Sequence, residues 1–190
     1  ESQNQVKYIL AKTRINPIWN IVCDSIATFG DVKAFRNKFV IPFGYTHNTY
    51  IRQSIFEALS LTQRDFISLR AVAIRDEDLG KVAGIKEFRL QDTTPLAAFN
   101  FDFYRQNVNE LSKDTLVISK FEETTISGKI NVTEDKILYL SIPYDGGWTL
   151  KVNGKETDKL IIDGGMTGVL LKKGQYTIDM NYDLRFFTKG

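Results

Sequence analysis

Residues 137–154 read Ile-Leu-Tyr-Leu-Ser-Ile-Pro-Tyr-Asp-Gly-Gly-Trp-Thr-Leu-Lys-Val-Asn-Gly, and this stretch decides the fold class. Ile137 to Ile142 is almost continuously apolar, the pattern of a strand buried on both faces. Asp145-Gly146-Gly147 makes a tight turn. Trp148, Leu150 and Val152 then alternate with Thr149 and Lys151, the period of a half-buried strand. Asn153-Gly154 closes a hairpin, because both turn positions must tolerate positive φ.

The same texture continues on either side. Upstream, Ile126, Gly128, Ile130 and Val132 alternate with Ser127, Lys129 and Asn131. Downstream, Leu160 to Ile162 and Met166 to Leu171 are two strands separated by Asp163-Gly164-Gly165. After a turn at Lys173-Gly174, Tyr176, Ile178, Met180 and Tyr182 alternate with polar residues. Six short, closely spaced strands with a turn signal between most neighbours predict an antiparallel sandwich or jelly roll.

The first half is mixed. Tyr50, Ile51, Ile55 and Leu59 have helical spacing behind the possible caps Asn48 and Thr49. Thr62 reads as the N-cap of a short helix through Leu69, with Asp65 three residues on. Ala71 to Ile74 reads as a strand, and 75–84 as a polar loop. Thr94-Pro95 opens a helix whose apolar stripe runs through Ala97, Phe101, Tyr104, Val108 and Leu111. Near the start, 6–10, 19–26 and 33–42 read as strands. The expected class is α+β, mainly β: a mixed α/β lobe over 1–114 with two or three helices, an antiparallel β-sandwich lobe over 115–184 packed on it, and a tail over 185–190.

Composition narrows the function classes. The 190 residues carry 25 basic and 23 acidic side chains. That balance argues against a large nucleic-acid footprint, which needs clustered positive charge. A single cysteine, Cys23, excludes an internal disulfide and reads as a small buried apolar residue. No apolar run approaches the roughly 18 residues that span a bilayer. No nucleophile elbow, metal-ligand spacing or phosphate loop is present, so no catalytic, metal or cofactor residue is assigned.

Several separated motifs fall in one order: Ile137 to Trp148, Lys151-Val-Asn-Gly154, Gly164-Gly-Met-Thr-Gly168, Lys173-Gly174, and Tyr176 to Tyr182. Thr115-Leu116 to Lys129-Ile130 precedes them, and Asn37 to Tyr45 supplies an earlier Pro-aromatic-Gly segment. Over roughly 34–184 this series resembles the YfhO family of bacterial membrane proteins. The resemblance implies the extracytoplasmic part of a polytopic, glycosyltransferase-like protein. Such a protein would pass sugar from a lipid-linked donor to a wall polymer such as lipoteichoic acid. It implies that the catalytic groups lie in the membrane part, outside this chain. It also gives the tail a meaning: Arg185, Phe186, Phe187 and Lys189 suit a membrane interface ahead of a spanning helix. The partners implied are a glycan acceptor and the protein's own membrane domain. A stand-alone carbohydrate-binding or adhesion-type module is the alternative.

Tyr144, Asp145 and Trp148 form the candidate carbohydrate-binding cluster, an aromatic surface beside a carboxylate. The competing reading is structural and weighs more: Asp145 shapes a turn, and Trp148 shares the parity of Leu150 and Val152 and so points to the core. The two Asp-Gly-Gly turns lack the six to eight oxygen ligands that calcium needs. His47, the one histidine, reads as a loop residue before a helix, where a general-base role has no supporting partner. The acids of 76–78 and the pair Glu122, Glu123 read as solvated loop residues.

Overall fold

A computed structural model describes residues 7–12, 21–92 and 101–184. The chain divides into two compact units, Glu1–Pro42 and Phe43–Gly190. In the first, strands β1 (Tyr8–Ala11), β2 (Cys23–Phe29) and β3 (Val32–Asn37) form an antiparallel sheet in the order β1-β3-β2. Gly30, at φ +60°, turns the chain between β2 and β3. Cys23 is buried. The expected strands are present but shifted, and Val6 and Trp19 lie outside the described residues. β3 stops at Asn37, whose side-chain oxygen accepts from the Phe39 N–H (2.9 Å) and competes with the ladder.

The second unit holds two sheets. Its elements before residue 112 are β4 (Gly44–His47), β5 (Thr49–Arg52), α1 (Gln53–Glu57), α2 (Leu61–Ile67), β6 (Val72–Ile74), β7 (Lys86–Glu87) and α3 (Phe101–Leu111). Strands β8 (Val117–Phe121), β9 (Thr125–Val132), β10 (Lys136–Pro143) and β11 (Trp148–Val152) follow. The last are β12 (Lys155–Glu156), β13 (Leu160–Ile162), β14 (Met166–Leu171) and β15 (Gly174–Tyr182). Seven strands form one sheet, β4-β10-β14-β13-β6-β5-β7, and five form the other, β12-β11-β15-β9-β8. The change of texture near residue 114 lies within this unit. The seven-stranded sheet takes strands from both sides of it.

The alternation along β10 explains how the layers stack. Leu138 and Leu140 join Ile126, Ile130, Leu150, Ile178 and Met180 of the five-stranded sheet in one core. Ile137, on the opposite face, packs with Val72, Val82, Leu160 and Ile162 in a second. Both faces of β10 are therefore buried, as its unbroken apolar run requires. The molecule is mainly β with several antiparallel sheets, the expected class. Asn153 and Gly154 both take positive φ, 51° and 78°, and close the β11–β12 hairpin as the Asn-Gly pair predicts. Gly128 leaves room inside the sandwich: a Cβ there would lie 2.7 Å from the Val117 carbonyl oxygen and 3.0 Å from the Leu116 side chain.

Local signals fail where tertiary pairing outbids them. The stretch from Tyr50 is a strand, not a helix, because Tyr50 and Ile51 pair in parallel with Val72 and Ala73 of β6. The helix α1 starts only at Gln53, and neither Asn48 nor Thr49 caps it. The α2 N-cap is Ser60, not Thr62. Its hydroxyl accepts from the Gln63 N–H (3.4 Å), and the Gln63 side chain accepts from the Ser60 N–H (3.0 Å), a reciprocal capping box. The expected loop at 75–84 contains a 3-10 turn over Asp76–Val82. Within it Asp78 is buried, not solvated, held by Arg75 (2.6 Å) and Lys81 (2.7 Å). The helix start at Thr94-Pro95 lies outside the described residues. Among the described residues no helix is long and apolar enough to cross a membrane.

Candidate functional site

The expected cluster is a built corner at the β10–β11 connection. Pro143 ends β10 after a register shift. The next residue, Tyr144, donates its N–H to the Gly165 carbonyl (2.7 Å), which ties the connection to the β13–β14 turn. Asp145 Oδ1 accepts from the Gly147 N–H (2.6 Å), the side-chain turn expected of Asp before Gly-Gly. Gly147 is needed for a further reason: a Cβ there would stand 2.6 Å from the Tyr182 ring. Trp148 pairs with Tyr182 across β11 and β15, and the two rings meet edge to face at 5.1 Å. Trp148 is half-buried against the sandwich core.

Lys159 completes the corner. Its Nζ donates to the carbonyls of Asp145 (2.6 Å) and Trp148, and stands 4.9 Å from the centroid of the Tyr144 ring. Burial pushes the Lys159 pKa down, and the nearby Asp145 opposes this. Tyr144 keeps 38% of its surface exposed. The structure thus brings Tyr144, Asp145 and Trp148 together, with an ammonium between their carbonyls and an aromatic face. Sequence reasoning missed Lys159 and the role of Tyr182. A lysine ahead of a short strand carries no local signal, and the register that sets Tyr182 opposite Trp148 is a long-range property. Arg185, Phe186, Phe187 and Lys189 lie outside the described residues.

His47 is not in a loop. It ends β4, opposite Ile137 of β10, with 2% of its surface exposed. Its ring meets Tyr45 at 5.4 Å and Tyr139 at 6.3 Å, and those two tyrosines stack at 4.7 Å. Burial lowers its pKa to about 4, and the Lys136 charge acts in the same direction. The Arg70 carbonyl favours the cation, but it accepts from the Thr49 hydroxyl (2.5 Å) and makes no hydrogen bond of normal geometry to the ring. Among the described residues, neither ring nitrogen has a hydrogen-bond partner of normal geometry. A cleft of about 220 Å³ opens here, between the β4–β5 corner, the turn after α2 and helix α3. His47, Arg70, Phe88, Asn107, Glu110 and Lys136 are among the residues that line it.

Residues 81–190, more than half of the chain, match the family described as bacterial membrane protein YfhO. The chain belongs to this family. No curated protein and no solved structure matches it. The YfhO segment contains α3, the whole five-stranded sheet and the entire Tyr144 corner. His47 and Arg70 lie outside it, while Lys136 and Asn107 lie inside. Among the described residues, no three His, Cys, Asp or Glu side chains are grouped to hold a metal ion.

Proposed function

We propose that this YfhO-family chain is a non-catalytic extracytoplasmic domain of a polytopic, glycosyltransferase-like membrane protein. It aids sugar transfer from a lipid-linked donor to a wall polymer such as lipoteichoic acid. The family match over 81–190 carries this reading. The Tyr144 corner is the surface offered to the glycan. An exposed aromatic ring, its backbone tied to the Gly165 carbonyl and its face beside the Lys159 ammonium, suits the apolar face of a sugar. Lys159 and the neighbouring carbonyls supply polar contacts at its edge. Asp145 is committed to its own turn and acts by shaping the corner.

The test has two arms. NMR titration of the purified chain with lipoteichoic acid fragments is expected to shift Tyr144, Lys159 and Trp148. Full-length protein carrying Tyr144→Ala is expected to reach the membrane normally yet modify less polymer. Unchanged sugar transfer and no shifts at this corner overturn the assignment. A stand-alone carbohydrate-binding or adhesion-type module, the reading that exposure of Tyr144 favours by itself, predicts the shifts without any change in sugar transfer.

A further inference from the structure

We propose that the cleft lined by His47, Arg70 and Lys136 is a binding site for a phosphate-class oxyanion. The proposal uses other residues and another ligand chemistry than the glycan corner, so either can fail alone. Three observations carry it.

The first is the unmatched cation. Arg70 has no acidic partner among the described residues, and its guanidinium lies 5.2 Å from the centroid of the Phe88 ring. A guanidinium presents a planar fork of donors, the geometry that grips two oxygens of one anion. The other charges facing the cleft are already offset. Lys136 is paired with Asp114 (3.0 Å), and Glu110 with Lys113 (2.6 Å). Arg70 is therefore the charge left over.

The second is the unmatched histidine. A neutral imidazole always carries one N–H donor and one acceptor nitrogen. Both His47 nitrogens are buried and, among the described residues, neither makes a hydrogen bond of normal geometry, which leaves a polar group unmatched. The Arg70 carbonyl is the acceptor nearest in effect, and an oxyanion seated in the cleft that His47 helps to line offers the ring N–H, once the ring turns outward, a better placed one.

The third is space and reach. The cleft holds about 220 Å³, room for a phosphate and the first atoms of whatever bears it. Asn107 reaches it from α3 with one amide hydrogen committed to the Phe103 carbonyl (2.7 Å) and the other available. A tetrahedral anion with several acceptor oxygens matches donors converging from a strand, a turn and a helix.

The test is an NMR titration of the whole chain with inorganic phosphate, against sodium chloride at matched ionic strength. Phosphate is expected to shift Arg70, Asn107 and the His47 ring nitrogens in a saturable way, and chloride is not. Arg70→Gln should weaken binding by about tenfold or more, as loss of a charge-assisted contact predicts. Tyr144→Ala should leave it unchanged. An amide spectrum unaltered away from the cleft confirms that Arg70→Gln folds. A parallel titration with phosphatidylcholine vesicles, with and without phosphatidylglycerol, separates sources. Shifts at Arg70 with the anionic vesicles alone assign the phosphate to a lipid headgroup, and shifts with inorganic phosphate assign a free one. Equal shifts with chloride, identical binding by Arg70→Gln, or no shift at these residues with either source overturn the proposal.

Discussion

Asp163 and Ala73, ninety residues apart, exchange two hydrogen bonds: the Ala73 N–H donates to Asp163 Oδ1 (2.6 Å) and the Asp163 N–H donates to the Ala73 carbonyl (2.9 Å). The pair pins the β13–β14 turn to β6. Asp163 takes φ +46°, and burial of its carboxyl raises its pKa from 3.8 to about 7. Between those values the folded chain keeps a proton that the unfolded chain has lost. Stability from this group is therefore full below about 4 and falls as pH rises through about 7, at up to about 1.4 kcal/mol per pH unit. Asn tolerates positive φ and still accepts from Ala73. The melting temperature of Asp163→Asn relative to the parent is expected to climb across that window and level off above it. A constant difference across the same window would show that the carboxyl is not protonated in the fold.

Asp114 behaves in the opposite sense. Burial alone would raise its pKa, but bonds from the Thr133 N–H (2.9 Å), the Thr133 hydroxyl (2.7 Å) and Lys136 (3.0 Å) outweigh that and hold it below 3.8. Its contribution is present above the ordinary carboxylate value and is lost as pH falls through the depressed one. Asp114→Ala leaves Lys136, which is largely buried, with the more distant Glu134 (3.8 Å) and should cost about 3 kcal/mol in urea unfolding at neutral pH. That deficit should shrink in acid.

Gly128→Ala tests the tightness of the sandwich. The added Cβ meets backbone, the Val117 carbonyl at 2.7 Å, so β8 and β9 must separate locally. A loss of about 1–3 kcal/mol is expected. Thermal unfolding of this variant beside Ser127→Ala, which adds no atoms, isolates the steric part.

Lys159→Met removes the ammonium from between the Asp145 and Trp148 carbonyls while keeping most of the stem. Both carbonyls lie near solvent, which replaces the lost donors, so the cost in stability should stay near 1 kcal/mol. The local effect should be larger. Amide exchange at Gly147 and Trp148 is expected to speed up, with exchange in β9 unchanged.

Residues 126–182 were legible because their signals are local. The period-two strands, the apolar run of β10 and the Asn153-Gly154 turn state their geometry within a few positions. Ser60 and Gln63 also carry a capping-box signature, although Thr62 competes with it in the same stretch. The Tyr144 corner was legible in part: Asp145-Gly146-Gly147 announces a turn, but nothing nearby announces Lys159.

By itself, the sequence determined the strand-rich class, the two-faced burial of β10 and membership in the YfhO family, since periodicity and motif order are properties of a one-dimensional string. Only the tertiary structure decided that Tyr50 and Ile51 join a parallel ladder, that Asp78 and His47 are buried, and that Arg70 faces a cleft without an acidic partner among the described residues. Each of these depends on which distant strand lies alongside. A propensity of a few tenths of a kcal/mol per residue is overruled once backbone pairing and burial against a neighbour contribute more.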